Sequence, residues 1–216
     1  MLHHSTGTVS APRQALSLLQ RRRKLVIAGL AILLLGTLPL VQSLAKVQMS
    51  THELVEVIGI CLIVLAILGR GWCTLYIGGR KARQLTDTGP YSISRNPLYI
   101  FSFIGAAGIG AQTGSLVISL VFVLGAIAVF LPVILREERA LAQLFGPKKF
   151  DAYRARVPRF GPRFSTWKDM DALEVRPKLL WRTLRDGLVF FLAVPLFELF
   201  DWLQVNGIIH PFIHLP

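Results

Sequence analysis

The sequence predicts an all-α integral membrane fold with about five transmembrane helices. Three observations lead there. Hydrophobic residues make up 53% of the 216 positions and charged residues only 17%, more apolar than an ordinary soluble domain. Apolar runs long enough to cross a bilayer recur along the chain. Lys and Arg are concentrated in alternate connections between those runs, as the positive-inside rule predicts.

Residues 1–24 are polar and basic and carry Gly, Ser and Pro, so they read as a disordered N-terminal tail. Leu25–Ala45 is the first expected span. At about 20 residues it exceeds a secretory h-region, which favours a retained anchor over a cleaved signal. Val55 to about Cys73 is the second. Pro97–Gly114 is the third, opened by a proline that is tolerated in a first helical turn. Ser115–Leu135 is the fourth, and Leu188 to about Leu203 is a less clean fifth, carrying Pro195, Glu198 and Asp201. The short turn at Gln112 to Ser115 forces spans three and four into an antiparallel hairpin. Arg95, Asn96 and Tyr99 are thereby returned to the same membrane face as Glu137 and Glu138. Gly105, Gly108, Gly110 and Gly114 thin one face of span three, read here as packing between spans three and four. Gly78 to Asn96 reads as an irregular connector. Residues 136–146 read as a helix leaving the membrane and stopped at Gly146-Pro147. Tyr153 to Pro162 is basic and proline-interrupted, and is expected to fold back as a cap.

The net charge of +12 would indicate nucleic acid in a soluble protein, but its placement decides otherwise. Arg13, Arg21, Arg22, Arg23 and Lys24 precede the first span, and Lys46 alone follows it. Arg70, Arg80, Lys81, Arg83 and Arg95 lie between spans two and three. None falls in the turn between spans three and four, and thirteen lie between Arg136 and Arg185. This split sets a cytoplasmic N-terminus and a basic face that attracts anionic lipid headgroups. No groove-reading motif accompanies the charge, so nucleic acid is not expected as a partner. The bilayer is, and no obligate protein partner is evident. Cys61 and Cys73 lie twelve residues apart in one apolar helix, too far for a disulfide.

Two polar stretches stand at the mouths of these spans. The first is Thr88-Gly89-Pro90-Tyr91-Ser92-Ile93-Ser94-Arg95-Asn96-Pro97-Leu98-Tyr99. The second is Arg136-Glu137-Glu138-Arg139-Ala140-Leu141, continuing to Phe145-Gly146 and closing on Tyr153-Arg154-Ala155-Arg156-Val157-Pro158. Ionisable groups at membrane depth are costly and mark function by default. In this order, separated by a two-span hairpin, the stretches resemble the isoprenylcysteine carboxyl methyltransferase family and the related membrane phospholipid methyltransferases. The resemblance covers about residues 70–160.

It implies a cofactor, S-adenosyl-L-methionine, bound in a cytoplasmic cap formed by about 70–160 of a membrane methyltransferase domain spanning 25–216. It also implies a lipid-like or isoprenoid-linked acceptor, a small hydrophobic molecule, and a bacterial inner membrane with the site facing the cytoplasm. The family places the cofactor-facing carboxylate at Glu137 and lines the cofactor with the residues before its Gly-x-Tyr motif, here Arg83, Gln84, Leu85 and Thr86. Tyr91 and Tyr99 can stack on adenine or hydrogen bond. Asn96 stands where many members have His; it donates hydrogen bonds but cannot act as a base near neutral pH. Arg95 and Glu138 are the candidate catalytic residues: Arg95 to join cofactor and acceptor, Glu138 to hold Arg95 or another basic group. Each charge also reads as an interfacial charge, and Tyr99 as part of an interfacial aromatic belt.

Two departures bear on the acceptor. Val133 stands four residues before Glu137, where eukaryotic prenylcysteine enzymes have Arg, with Arg136 the nearest substitute. Phe101 stands where the family usually has Gly. A prenylated protein is therefore not assigned as substrate. Methyl transfer from a sulfonium needs alignment more than acid–base groups, so the lack of a catalytic triad or metal motif does not oppose it. The alternatives are an NADPH-dependent membrane reductase of the sterol-reductase type and a non-catalytic membrane scaffold.

Overall fold

The computed structural model describes residues 41–43, 49–80, 84–209 and 213–215. The tail 1–24, the expected first span apart from residues 41–43, and Arg83 lie outside the described residues. Helix α1 is Met49–Ile77. A single turn, α2, is Pro90–Ile93; α3 is Pro97–Ala111 and α4 is Leu116–Phe145. They are followed by α5, Pro147–Arg156, α6, Pro177–Leu188, and α7, Ala193–Val205. A tight turn, Val189–Leu192, joins the last two. Short strands β1, Val41–Ser43, and β2, Ile213–Leu215, pair in parallel.

Three helical stretches are long and apolar enough to cross a membrane: His52–Ile77, Leu116–Phe145 and Pro177–Val205. Their outward faces are apolar, with Leu65 and Leu68 on α1 and Leu120 and Leu124 on α4 exposed. In a chain of this kind those faces meet lipid. Helix α3 has 15 residues, about 22 Å of rise, shorter than the hydrocarbon core. It lies between α1 and α4 and packs on both.

Helix ends differ from the apolar runs for a physical reason: hydropathy marks membrane thickness, whereas caps and prolines mark helix ends. Span four and the polar helix after it form one 30-residue helix, α4, which runs on past Leu135 until Gly146-Pro147 stops it. The last span starts at Pro177, not Leu188. Pro195 falls in the first turn of α7, where a missing N–H removes no helical bond.

Glycines set the helix spacing. Added side chains at Gly59 of α1 and Gly108 of α3 would each meet the other's carbonyl oxygen, at 2.9 and 2.7 Å. At Gly105 the near atoms include Ala66 Cβ of α1. Only Gly110 faces α4, with Ser119 Cα at 2.6 Å. The thin face expected to serve spans three and four thus mostly serves span two. At 100° per residue, Gly105 and Gly108 share a stripe while Gly110 points away from it.

The segment after α5 folds back over the connector before α3, as the basic, proline-interrupted sequence predicts. Arg95 N–H donates to the Pro158 carbonyl and Arg163 N–H to that of Ile93, each at 2.9 Å, while Gly89 N–H reaches Lys168 at 2.8 Å. Trp167 stacks on Trp72 of α1, and Tyr76 donates to Asp169 at 2.8 Å. Gly89 has φ 56 and lies directly under the Tyr76 ring, so both conformation and space demand glycine there.

Gly108→Leu is expected to push α1 from α3 and destabilise the fold by about 1–3 kcal/mol. Gly125→Ala on α4, where nothing lies within 4 Å, should be neutral or slightly stabilising. Melting curves in detergent check both; equal losses would refute the glycine-set spacing.

Candidate active site

The α3–α4 hairpin returns the start of α3 to the last third of α4, as the short turn requires. Ser115 caps α4 by accepting from Ile118 N–H. At the far end Glu137 and Glu138, both buried, project from successive positions. They are rotated by about 100° on the helix, so they meet different partners.

Glu138 is the more heavily bonded. Its Oε1 accepts from Arg95 Nε at 3.1 Å and from Asn96 Nδ2 at 2.9 Å. Its Oε2 accepts from both Nε and Nη2 of Arg159, at 3.1 and 3.0 Å. The expected Arg95–Glu138 ion pair is therefore present. Arg95 continues the clamp, donating through Nη1 to the carbonyls of Arg154 and Val157, each at 3.0 Å. Asn96 uses its amide for both Glu138 and, at 3.3 Å, the Arg159 carbonyl. A neutral imidazole has one N–H and could not make both bonds.

Glu137 accepts from the Tyr99 hydroxyl at 3.1 Å. The two residues sit in the wall of a cavity that opens to the surface. Gln84, Leu85, Thr86 and Tyr91 line it, together with Arg95, Asn96, Tyr99, Glu137 and Glu138. Every expected site residue that is described therefore lines one cavity; Arg83 falls outside the described residues.

Sequence reasoning missed the other walls. Ile77, Leu98, Leu141, Phe145, Phe150 and Tyr153 make the cavity largely apolar. Tyr153 donates to the Tyr91 carbonyl at 2.8 Å. Burial pushes the phenols of Tyr91 and Tyr153 above the usual tyrosine range, so both stay neutral at physiological pH. Arg159 was also missed. Its signal is its place just after Val157-Pro158, in the segment expected to fold back.

The two family departures lie away from this cavity. Arg136 is exposed; the second guanidinium at the carboxylates comes from Arg159. Phe101 fills the space over Gly69 of α1 and meets Trp72 edge-on. Neither Val133 nor Phe101 lines the cavity.

The cavity lining carries groups that could hold a small ligand with charged, polar and aromatic parts. A buried carboxylate in its wall, Glu137, suits an ammonium. Thr86 Oγ1 is buried with no hydrogen-bond partner among the described residues, so a polar ligand atom would satisfy it. Apolar and aromatic walls suit an adenosine.

These features define an integral membrane protein with a small-molecule cavity at one end of its helix bundle. A model of the phospholipid methyltransferase family matches residues 53–148. The chain is 36% identical over 159 residues to the cobalt-zinc-cadmium resistance protein CzcN of Cupriavidus metallidurans, covering 73% of this chain and 72% of that protein. It is 39% identical over 137 residues to the nickel-cobalt-cadmium resistance protein NccN of Alcaligenes xylosoxydans xylosoxydans, covering 63% of each. That second match spans slightly less than two thirds of its relative's length. No solved structure matches. The chain belongs to the phospholipid methyltransferase family. The family match ends before Arg159, so the strap that closes the Glu138 network lies outside it.

Glu138→Ala leaves two guanidinium groups facing a buried gap and should cost about 3–5 kcal/mol. Arg159→Ala removes the more exposed partner and should cost about 1 kcal/mol or less. Thermal melts in detergent compare them; equal effects would refute Glu138 as the hub.

Proposed function

We propose that this protein is an S-adenosylmethionine-dependent methyltransferase acting on a lipid-like acceptor at the cytoplasmic face of a bacterial inner membrane. The observation that carries the reading is the convergence of both family stretches on one cavity, with the Glu137 carboxylate in its wall.

The cofactor would supply a sulfonium methyl carbon already activated for attack, so the chain's task is binding, alignment and exclusion of water. Glu137, oriented by Tyr99, holds the cofactor's ammonium. Thr86 bonds its polar edge, and Tyr91 with Leu85 and Phe150 receives the adenosine. Arg95 and Glu138 act chiefly as positioning residues, because their charged groups are directed at each other, at Asn96 and at the strap. Leu98, Leu141 and Phe145 present an apolar approach for the acceptor.

The same cavity argues against a dinucleotide. Among its described lining residues Arg95 is the one basic side chain, and that guanidinium is bonded to Glu138. A phosphate-rich nucleotide needs more positive charge facing it. A scaffold role would leave the buried Thr86 hydroxyl, which has no partner among the described residues, without a purpose.

The positive-inside charge pattern sets the orientation. It puts the cavity end, with Arg95, Arg154 and Arg159, in the cytoplasm. It also puts β1, β2 and the start of α1 outside. The metal resistance named in both relatives is consistent with a role for the proposed reaction in the response to such metals, through a change in the membrane.

Glu137→Gln should weaken S-adenosylhomocysteine binding roughly tenfold or more while leaving the melting temperature nearly unchanged, since a charge-assisted hydrogen bond contributes about 1.5–3 kcal/mol. Isothermal titration reads the affinity, and an unchanged value removes Glu137 from the site. A periplasm-active reporter fused after Pro216 should be active; a cytoplasmic signal would overturn the orientation of the last span.

A further inference from the structure

We propose that His52, Glu56 and Asp201 form a binding site for a divalent transition metal, of the zinc or cobalt class, at the end of the bundle opposite the cavity. The inference does not rest on methyl transfer. Helix α1 carries His52 near its start and ends at Ile77 in the cavity wall, so the two sites lie about 37 Å apart along the helix.

The three side chains offer ligand atoms all within 4.8 Å of one another. His52 Nε2 lies 3.1 Å from Glu56 Oε1 and 3.9 Å from Asp201 Oδ2. Tetrahedral coordination at about 2.0–2.2 Å separates ligand atoms by roughly 3.4 Å. The observed spacings bracket that value, so small side-chain movements would close the site. A proton on Nε2 can reach Glu56 but leaves Asp201 beyond hydrogen-bond distance of that nitrogen. A doubly charged cation would engage all three groups.

The fold prepares the imidazole. His52 and Glu56 share a face of α1 at i, i+4, and α7 supplies Asp201. Nδ1 is buried without a hydrogen-bond partner among the described residues. It abuts the α3–α4 turn so closely that a side chain at Gly114 would come within 1.7 Å of it. The ring is therefore seated on bare backbone, and Nε2 is the nitrogen presented to the carboxylates. Glu56 and Asp201 are partly exposed, which leaves a path for entry and room for water as a further ligand. One imidazole nitrogen and two carboxylate oxygens suit zinc, cobalt or nickel, and suit copper(I), which seeks sulfur, poorly. Bound metal would tie α1 to α7.

The test uses the full chain in detergent, purified without a histidine tag and stripped of metal. Co²⁺ is titrated, with calorimetry and visible absorption as readouts. The wild type should bind Co²⁺ and compete it off with Zn²⁺, and metal should raise its melting temperature. Glu56→Gln and Asp201→Asn should each bind at least tenfold more weakly and lose the metal-dependent shift, while melting like the wild type without metal. No Co²⁺ binding by the wild type, or binding by both variants as tight as the wild type's, overturns the site. S-adenosylhomocysteine binding, measured alongside, reports on the cavity alone and separates failure there from failure here.

Discussion

The carboxylate of Glu138 is the constraint on which the rest depends. A buried charge at the end of an apolar helix must be paired and hydrogen-bonded or it is expelled. Glu138 draws its donors from three places: Arg95 from the connector, Asn96 from the start of α3, and Arg159 from the segment beyond α5. Those segments are distant in sequence and share no hydrophobic pattern. Satisfying one carboxylate fixes all three against α4. The connector and strap then exchange backbone bonds, and the cavity is the space they leave beside Glu137.

The second constraint is thinness. A 15-residue helix is too short to span alone, yet it delivers both Asn96 and Tyr99 to the site. It does so because Gly59 and Gly108 let α1 and α3 approach backbone to backbone. Close approach brings Ile77, at the end of α1, into the same cavity wall as Tyr99. The glycines far from the chemistry therefore help set the width of the site.

Much of this was legible in the sequence. The hairpin followed from a short turn between two apolar runs, and it placed Arg95, Asn96 and Tyr99 against Glu137 and Glu138. The fold-back followed from proline and charge after Tyr153. What was not legible has specific causes. Hydropathy could not see that span four and the helix read at 136–146 are one continuous helix, because it marks the membrane boundary and not the helix end. Spacing alone could not say which neighbour each glycine of α3 faces. Arg159 could not be singled out among thirteen basic residues, since its role exists only once the strap closes. The convergence of His52 and Glu56 with Asp201 likewise joins the two ends of the described chain, a contact no local pattern encodes.

Adjacent glutamates on one helix have different fates, and the difference is geometric before it is chemical. One residue of rotation turns Glu138 towards the strap, where two guanidinium groups and an amide fill its acceptor sites. The same rotation turns Glu137 towards α3, where it accepts from the Tyr99 phenol. The pair thus divides its contacts: Glu138 joins the strap and the connector to α4, and Glu137 meets α3 at the cavity wall. A buried carboxylate among apolar and aromatic walls is the feature on which the proposed binding of a cationic, aromatic ligand rests.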